Sequence, residues 1–301
     1  MNKIHLLDNG LINKIAAGEV VERPASVVKE LMENSIDAGA TSITVEIAEG
    51  GTSVIKITDN GKGIPKDEIR TAFMRHATSK IDSFEDLENV LTLGFRGEAL
   101  SSIASVAQVE MLTRTESDSM GTRIVINGGV VDREEECAAN VGTVFYVKNI
   151  FFNTPARRKF LKKPATEGSY ISEIVNRIAL GHPNIAIKYI NNGNIVLQTN
   201  GDGNVKNSLF YIYGKDIASK MLNLESEKEG YILKGLVGKP ELSRGNRNYE
   251  NFFINGRFIK STLVQNAVED AYKNKIMIGK FPIFALNLIV PSNTVDVNVH
   301  P

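Results

Sequence analysis

Two strand-like runs, "SITVEIAE" (42–49) and "TSVIKITD" (52–59), are separated only by Gly50 and Gly51. Each alternates apolar and polar residues with a period of two, and a Gly-Gly link of that length reads as a hairpin, which makes the two runs neighbours in one sheet. A helix precedes them. Val28, Leu31, Met32, Ser35 and Ile36 recur at helical spacing, which predicts a helix over 24–37, with Pro24 in its first turn and Gly39 just past its end. Frequent hairpins mixed with helices favour an α+β layered fold over a doubly wound parallel sheet.

The same reading continues along the chain. "PKDEIRTAFMRHAT" predicts a helix from Pro65, "SFEDLENV" a short one, and "GEALSSIASVAQV" a longer one entered through a glycine. Strands are expected in "SVAQVEMLTRT", "GTRIVING", "GTVFYVKNI", "IAIKYINN" and "NIVLQTN", with a helix in "TEGSYISEIVNRIALGHP" closed by Gly181 and Pro183. The run "NGDGNVKNS" (200–208) is rich in Gly and Asn and marks a domain boundary. Beyond it, strands are predicted near 230–237, 249–255 and 283–290, and a helix in "STLVQNAVEDAYKN". A chain of 301 residues suits two domains, 1–205 and 206–301.

Composition narrows the chemistry. Formal net charge is zero, so overall charge gives no argument for nucleic acid, and only local basic clusters can. The single cysteine, Cys137, leaves no disulfide framework and no cysteine zinc site within one chain. The histidines at 5, 76, 182 and 300 lack the spacing of a helical metal pair. No run reaches the length of a membrane-spanning helix, and "MNKIHLLDNG" is not a signal peptide, so the expected location is cytoplasmic, with no membrane partner.

Neither the P-loop pattern nor G-x-G-x-x-G occurs. In "LGFRGEAL" (93–100), Gly94 and Gly97 flank Arg96 immediately before a helix, where free main-chain N–H groups favour an anion; a plain glycine loop fits equally. "TDNGKGIP" (58–65) ends a strand at Asp59 and continues through Asn60, Gly61 and Gly63. That is turn chemistry first, although a carboxylate at a strand end could also accept a hydrogen bond from the exocyclic amine of adenine. "RHATSKI" (75–81) offers Thr78, Ser79 and Lys80 as phosphate donors, or simply a polar helix end. On the first helix, Glu30 stacks on Asn34 and Glu33 on Asp37, and periodicity does not choose between the pairs or exclude a solvated face. Basic residues gather in "NTPARRKFLKK" (Arg157, Arg158, Lys159, Lys162, Lys163), and a second set comprises Arg244, Arg247, Arg257 and Lys260. Both suit a phosphate-backbone track or a solvated surface.

Taken in order, "IAAGEVVERPASVVKELMENSIDAGA", "DNGKGI", "RHATSKI", "LGFRGEALSSI", "GTVFYVKNIFFNTPARRKFLK", "NGRFIK" and "VDVNVHP" closely resemble the N-terminal region of the MutL mismatch-repair proteins. These belong to the GHKL class of ATPases, with gyrase, heat-shock chaperones and sensor kinases. The match runs from about Ile12 to the last residue.

The resemblance implies a GHKL-type ATPase sandwich of helices on a mixed β-sheet, preceded by an N-terminal arm and followed by a smaller ribosomal-protein-like βαβ domain. It implies a slow, Mg-dependent ATPase with ATP and Mg²⁺ as cofactors. Glu30 would be the general base and Asn34 the metal ligand. Asp59 would receive the adenine amine, Gly61 and Gly63 would shape the base pocket, and Thr143 would support Asp59 and the base through its hydroxyl. Thr78, Ser79 and Lys80, with Gly94, Phe95, Arg96, Gly97, Glu98, Ala99 and Leu100, would wrap the phosphates as a lid. Arg157, Lys159, Lys162, Arg177 and Arg257 would contact DNA without sequence preference. Implied partners are DNA, other mismatch repair proteins and a second copy of the chain bound in the presence of ATP, in a nucleoid-associated setting. In this family a lysine following "NVHPA" reaches the γ-phosphate; the sequence ends at Pro301, so the second domain is expected to be truncated and turnover impaired. The alternative is a nucleotide-gated DNA-binding module with little or no turnover.

Overall fold

The structure is a computed structural model, and it describes residues 17–18, 20–78 and 97–291. These fall into two compact units, one of residues 17–175 with 187–196, the other of 176–186 with 197–291. The predicted short helix in "SFEDLENV", Ser79, Lys80, Gly94, Phe95 and Arg96 lie outside the described residues.

The first unit opens with α1 (Pro24–Asp37), β1 (Ser42–Ala48) and β2 (Val54–Asp59). The hairpin forms as expected, with Ile43 opposite Asp59 and Ala48 opposite Val54, and a 3-10 turn over Glu49–Gly51 closes it. Then come the single helical turn α2 (Ile69–Ala72), α3 (Ala99–Val106), β3 (Gln108–Arg114), β4 (Gly121–Asn127), β5 (Val130–Cys137) and β6 (Gly142–Lys148). The short α4 (Pro155–Phe160), the long α5 (Pro164–Gly181), β7 (Ala186–Asn191) and β8 (Asn194–Gln198) follow. The strands form one sheet in the order β5-β4-β3-β6-β2-β1-β7-β8.

Alternation builds one apolar face of this sheet. Ile43, Val45, Ile47, Ile55, Ile57, Phe145, Val147, Val109, Met111, Ile124 and Ile126 are buried, as are Val28, Leu31 and Met32 of α1 and Ile103 of α3. The other face carries ion pairs between neighbouring strands, including Lys56–Glu46, Lys148–Glu110 and Arg123–Glu110. At one end of the apolar face the pattern changes. Asp59, Thr143, Thr113 and Thr122 are all buried and stand opposite one another across β2, β6, β3 and β4.

Three expectations change. The helix expected from Pro65 to Thr78 is a 3-10 turn over Lys66–Glu68 and then only α2. Ile69 is the one buried side chain in that run from Pro65 to Thr78, so a longer helix would recover too little packing to offset its ordering cost. The helix entered at Gly97 starts at Ala99 and stops at Val106, where the chain turns into β3. β5, unanticipated, is an edge strand whose charged run Arg133–Glu136 shows no apolar alternation because neither face meets the core, Glu134 and Glu136 pairing instead with Arg70 and Lys66; such charge also blunts edge-to-edge pairing.

The second unit contains α6 (Val205–Tyr213), α7 (Lys215–Ala218), β9 (Met221–Lys228), β10 (Tyr231–Gly238), β11 (Glu250–Ile254), β12 (Arg257–Phe258), α8 (Thr262–Ala271) and β13 (Phe284–Ile289). Its sheet order is β12-β11-β13-β10-β9, with β11 and β13 parallel and α8 in the crossover, a βαβ unit as expected. Both faces are covered. Phe253 and Ala285 join Leu209, Ile217 and Leu236 on one side, while Phe252, Phe284 and Leu286 meet Val264 and Val268 of α8 on the other. Continuous apolar runs such as "FFI" follow from that double burial. Part of "NGDGNVKNS" is a helix start, since the Asn204 side chain accepts from Lys206 N at the N-cap of α6.

Candidate functional site

The polar row at the end of the first sheet is the most specified place among the described residues. Asp59, 9% exposed, accepts from Ser35 Oγ at 2.7 Å through Oδ2 and from the Gly61 main-chain N–H at 2.9 Å through Oδ1. The Thr143 main chain also donates to this carboxylate. Burial pushes the Asp59 pKa up, and these three bonds pull it only part of the way back. A carboxylate held like this has fixed orientation and lone pairs left over.

Neighbouring groups lock the loop that follows. Asn60 Oδ1 accepts from the main-chain N–H of Thr41 and Ser42 at 2.9 and 2.8 Å, and Lys62 N donates to Ala38 O at 3.0 Å. The turn reading of "DNG" therefore holds at Asp59, whose Oδ1 accepts from Gly61 N two residues on, while Asn60 ties the loop back to the chain just after α1. A Cβ on Gly61 would lie 2.9 Å from Ala38 Cβ, so the end of α1 forbids a side chain there. Gly63 has φ +72°, and a Cβ would stand 2.2 Å from Arg114 O. The close neighbours that require these two glycines are protein atoms.

Thr143 differs from its expected role in one respect, how it supports Asp59. Its hydroxyl pairs with Thr113 Oγ1 at 3.1 Å, and its main chain, rather than its hydroxyl, supports Asp59. Thr113 Oγ1 also accepts from Ile64 N at 2.9 Å, which ties the Gly61–Ile64 loop to β3. Sequence reasoning passed over both Ser35 and Thr113. The signal was present for Ser35, a lone hydroxyl within the buried stripe of α1, which needs a partner.

Glu30 and Asn34 occupy the stripe of α1 adjacent to Leu31 and Ser35, one helical turn apart, and both are half-buried. Lys29 Nζ lies 2.9 Å from Glu30 Oε1 and 3.1 Å from Glu33 Oε2. Burial lowers the Lys29 pKa, but Glu30 and then Glu33 outweigh it and the net shift is upward. Glu33 is buried at 8% exposure, so it takes the structural rather than the solvated reading. Among the described residues no group of three or more His, Cys, Asp or Glu side chains converges as a cation site. A divalent ion at Asn34 would therefore meet an amide oxygen with a carboxylate one turn away, and would draw its remaining ligands from phosphate and water, which is magnesium's habit.

The two predicted lid segments meet where they are described. Gly97, at φ +63°, lies against Ala77, and a Cβ there would be 2.5 Å from Ala77 O. Glu98 Oε1 stands 3.6 Å from Arg75 and 3.4 Å from His76. Ala99 and Leu100 open α3, whose first intrahelical bond is Ser102 N to Glu98 O, so their N–H groups face the helix entrance. Thr78 precedes the undescribed stretch.

The basic residues sort differently. Arg157 is half-buried, and its guanidinium fills the space beside Gly18, where a Cβ would meet Nη2 at 2.2 Å. It is a packing residue of the first unit, and the exposed charge on α4 belongs to Arg158 and Lys159. The Lys162 main-chain N–H is held by Glu167 Oε1 at 2.9 Å, leaving its side chain exposed. In the second unit, Arg177 stacks on Phe258 with its guanidinium carbon 3.9 Å from the ring centre, and Arg257 lies half-buried on β12.

Comparison with known proteins agrees along the whole chain. Residues 22–141 match the family described as histidine kinase-, DNA gyrase B-, and HSP90-like ATPase, and residues 209–301 match DNA mismatch repair protein, C-terminal domain. The DNA mismatch repair protein MutL of Agathobacter rectalis is 54% identical over 301 residues, 100% of this chain and 46% of that protein. That of Caldanaerobacter subterraneus is 48% identical over 100% of this chain and 51% of its own length. The chain thus spans about half the length of the curated relatives it matches. Among solved structures, the Aquifex aeolicus MutL ATPase domain complexed with ADP aligns with a TM-score of 0.70 at 26% identity, covering 94% of this chain and 100% of that one. The N-terminal domain of a DNA repair protein shares the fold, with a TM-score of 0.79 at 24% identity over 96% of this chain and 90% of that one.

Proposed function

The chain belongs to the MutL family of DNA mismatch repair proteins, as their N-terminal GHKL-type ATPase region, and we propose that it binds ATP against the Asp59 floor and hydrolyses it slowly with the help of Mg²⁺. The observation that carries the reading is the buried Asp59 carboxylate, fixed by Ser35, Gly61 and Thr143 with acceptor capacity to spare. Adenine offers a donor, its exocyclic amine, and a base that lacks one leaves the spare acceptor of a buried carboxylate unmet.

In the proposed mechanism Asp59 accepts from the adenine amine and so fixes the base. The N–H groups at the start of α3, with Thr78, Ser79, Lys80 and the segment from Gly94 to Leu100, hold the phosphate oxygens. Glu30 orients a water in line with the γ-phosphate and takes its proton as attack begins. Asn34 would hold Mg²⁺, which offsets negative charge on the phosphate oxygens. The family assignment favours this ATPase over a module that binds nucleotide without turnover.

The nucleotide state is proposed to couple to dimerisation of two such regions, to DNA and to other repair proteins, in a cytoplasmic, nucleoid-associated setting. No helix among the described residues is long and apolar enough to cross a membrane. DNA contact is assigned to the exposed Lys159 and Lys162, with Arg177 and Arg257 contributing from the second unit, and Arg158 replaces Arg157 in the first. We keep 1–205 and 206–301 as the functional division. The test is calorimetric titration of the chain with Mg²⁺ and a non-hydrolysable ATP analogue, alongside phosphate release from ATP. Tight analogue binding with slow release supports the proposal, and the absence of any binding heat refutes it.

A further inference from the structure

The turn after α8 carries an unusual surface. Met277 is 76% exposed and Ile278 fully exposed, side by side at its tip. Within 271–280, "AYKNKIMIGK", there are three lysines (Lys273, Lys275, Lys280) and no acidic residue, in a chain whose formal net charge is zero. Among the described residues none of the three ammonium groups makes an ion pair, whereas the nearby Arg247 is engaged by Glu269 through two bonds of 2.6 and 3.0 Å.

The tip is also built rather than loose. Lys280 N donates to Met277 O at 3.1 Å, and Gly279 takes φ +77°, the left-handed conformation such a turn requires. Lys275 N donates to Tyr272 O at 2.9 Å. At the base, Arg244 and Phe281 exchange two main-chain bonds of 2.8 Å, and the Tyr272 hydroxyl donates to Gly238 O. Two large apolar side chains presented on a fixed turn, in a stretch with a net excess of positive charge, are costly to leave in water and serve no core.

We propose that this turn is a DNA contact in which the three lysines meet phosphates and Met277 and Ile278 wedge against the floor of the minor groove. Charge complementarity selects the partner, since the turn carries three lysines against the single exposed Asp270 at its start, and lysines are point charges suited to a regular array of phosphates. An apolar pair between such lysines is the device by which minor-groove proteins unstack and kink a duplex. The inference rests on the DNA-coupled reading of the chain and adds to it a second, independent contact.

The experiment uses the 301-residue chain and a fluorescent 40-base-pair duplex, with anisotropy read between 50 and 200 mM salt and donor–acceptor labels at the duplex ends to report bending. In the triple variant Lys273→Glu, Lys275→Glu, Lys280→Glu, affinity is expected to fall at least about tenfold, and the slope of log K against log salt to shrink by about 2.7, the value for three phosphate contacts. In Met277→Ser with Ile278→Ser, the salt slope should stay as in the parent while bending is lost and affinity drops about fivefold. Thermal unfolding of each variant is the control for folding. If the parent binds DNA, Lys159→Glu with Lys162→Glu weakens it and both turn variants bind as the parent does, this inference alone is overturned and a protein partner takes its place. If the parent does not bind DNA, the wider reading falls with it.

Discussion

Replacing Asp59 with Asn separates the two jobs that its carboxylate can have. Oδ1 faces the Gly61 main-chain N–H, a donor that cannot rotate, while Oδ2 faces the Ser35 hydroxyl, which can. An Asn side chain would therefore place its oxygen toward Gly61 and its amide nitrogen toward Ser35, whose proton can go instead to Leu31 O, already 3.1 Å away. The substitution also removes a charge that burial disfavours, since the Asp59 pKa is raised. That sign matters. The folded state holds the Asp59 proton more tightly than the unfolded chain does, so this group lowers stability as pH rises past the ordinary carboxylate range, and Asn cancels that loss. The Gly61 and Thr143 main-chain donors are left to share one amide oxygen, so the fold should survive near neutral pH at a cost of about 1–3 kcal/mol. Nucleotide binding should not survive so well, because the amide meets the adenine amine donor to donor. A hydrogen bond to a charged group contributes about 1.5–3 kcal/mol, so affinity for the ATP analogue should fall about 10- to 150-fold. Calorimetric titration gives the affinity and a thermal melt on the same sample gives the fold. A folded Asp59→Asn protein with parental affinity would refute the base-acceptor role, and an unfolded one would mean that the carboxylate is chiefly structural.

Glu30→Ala should retain analogue binding while phosphate release slows by about 10²–10⁴, as expected for losing a positioned general base; equal turnover in the two proteins removes Glu30 from the mechanism. Ser35→Ala takes one donor from Asp59, pushing that pKa further up, so analogue affinity measured against pH should begin to fall at a higher pH than in the parent. An unmoved profile would show that the 2.7 Å bond does not tune the site. Glu250 is buried, and burial, reinforced by the charge of Glu269, raises its pKa from 4.5 to about 7. The folded protein keeps a proton there that the unfolded chain has released, so stability falls as pH rises between those two values and levels off above the second. The difference corresponds to at most about 3 kcal/mol. Glu250→Gln should match the parent near pH 4 and exceed it by about 2–3 kcal/mol at pH 8 in urea unfolding, and parallel curves at all pH values would contradict this.

Much of the architecture follows from local rules. The Gly50-Gly51 hairpin, the amphipathic α1 and the double-sided burial of "FFI" and "FALNLI" are visible as periodicities because each element repeats one contact many times along its length. The ordered motifs identified the family and nominated Asp59, Glu30 and Asn34. Elements without a buried face left no such trace. The edge strand β5 has no inner side to pattern, and the run after Pro65 looked helical although almost none of it is buried. What residue order alone could not supply is which groups meet across the fold. Ser35 and Asp59 are 24 positions apart, Thr113 and Thr143 are 30 apart, and their bonds exist only because register brings the ends of β2, β6 and β3 together beside the last turn of α1. Arg157 shows the same limit from the other side, because its charge suggested a partner in solution and its packing beside Gly18 occupies it within the chain. Propensity and pattern act over a few residues, whereas the environment of a charge is set by whatever the folded chain places around it.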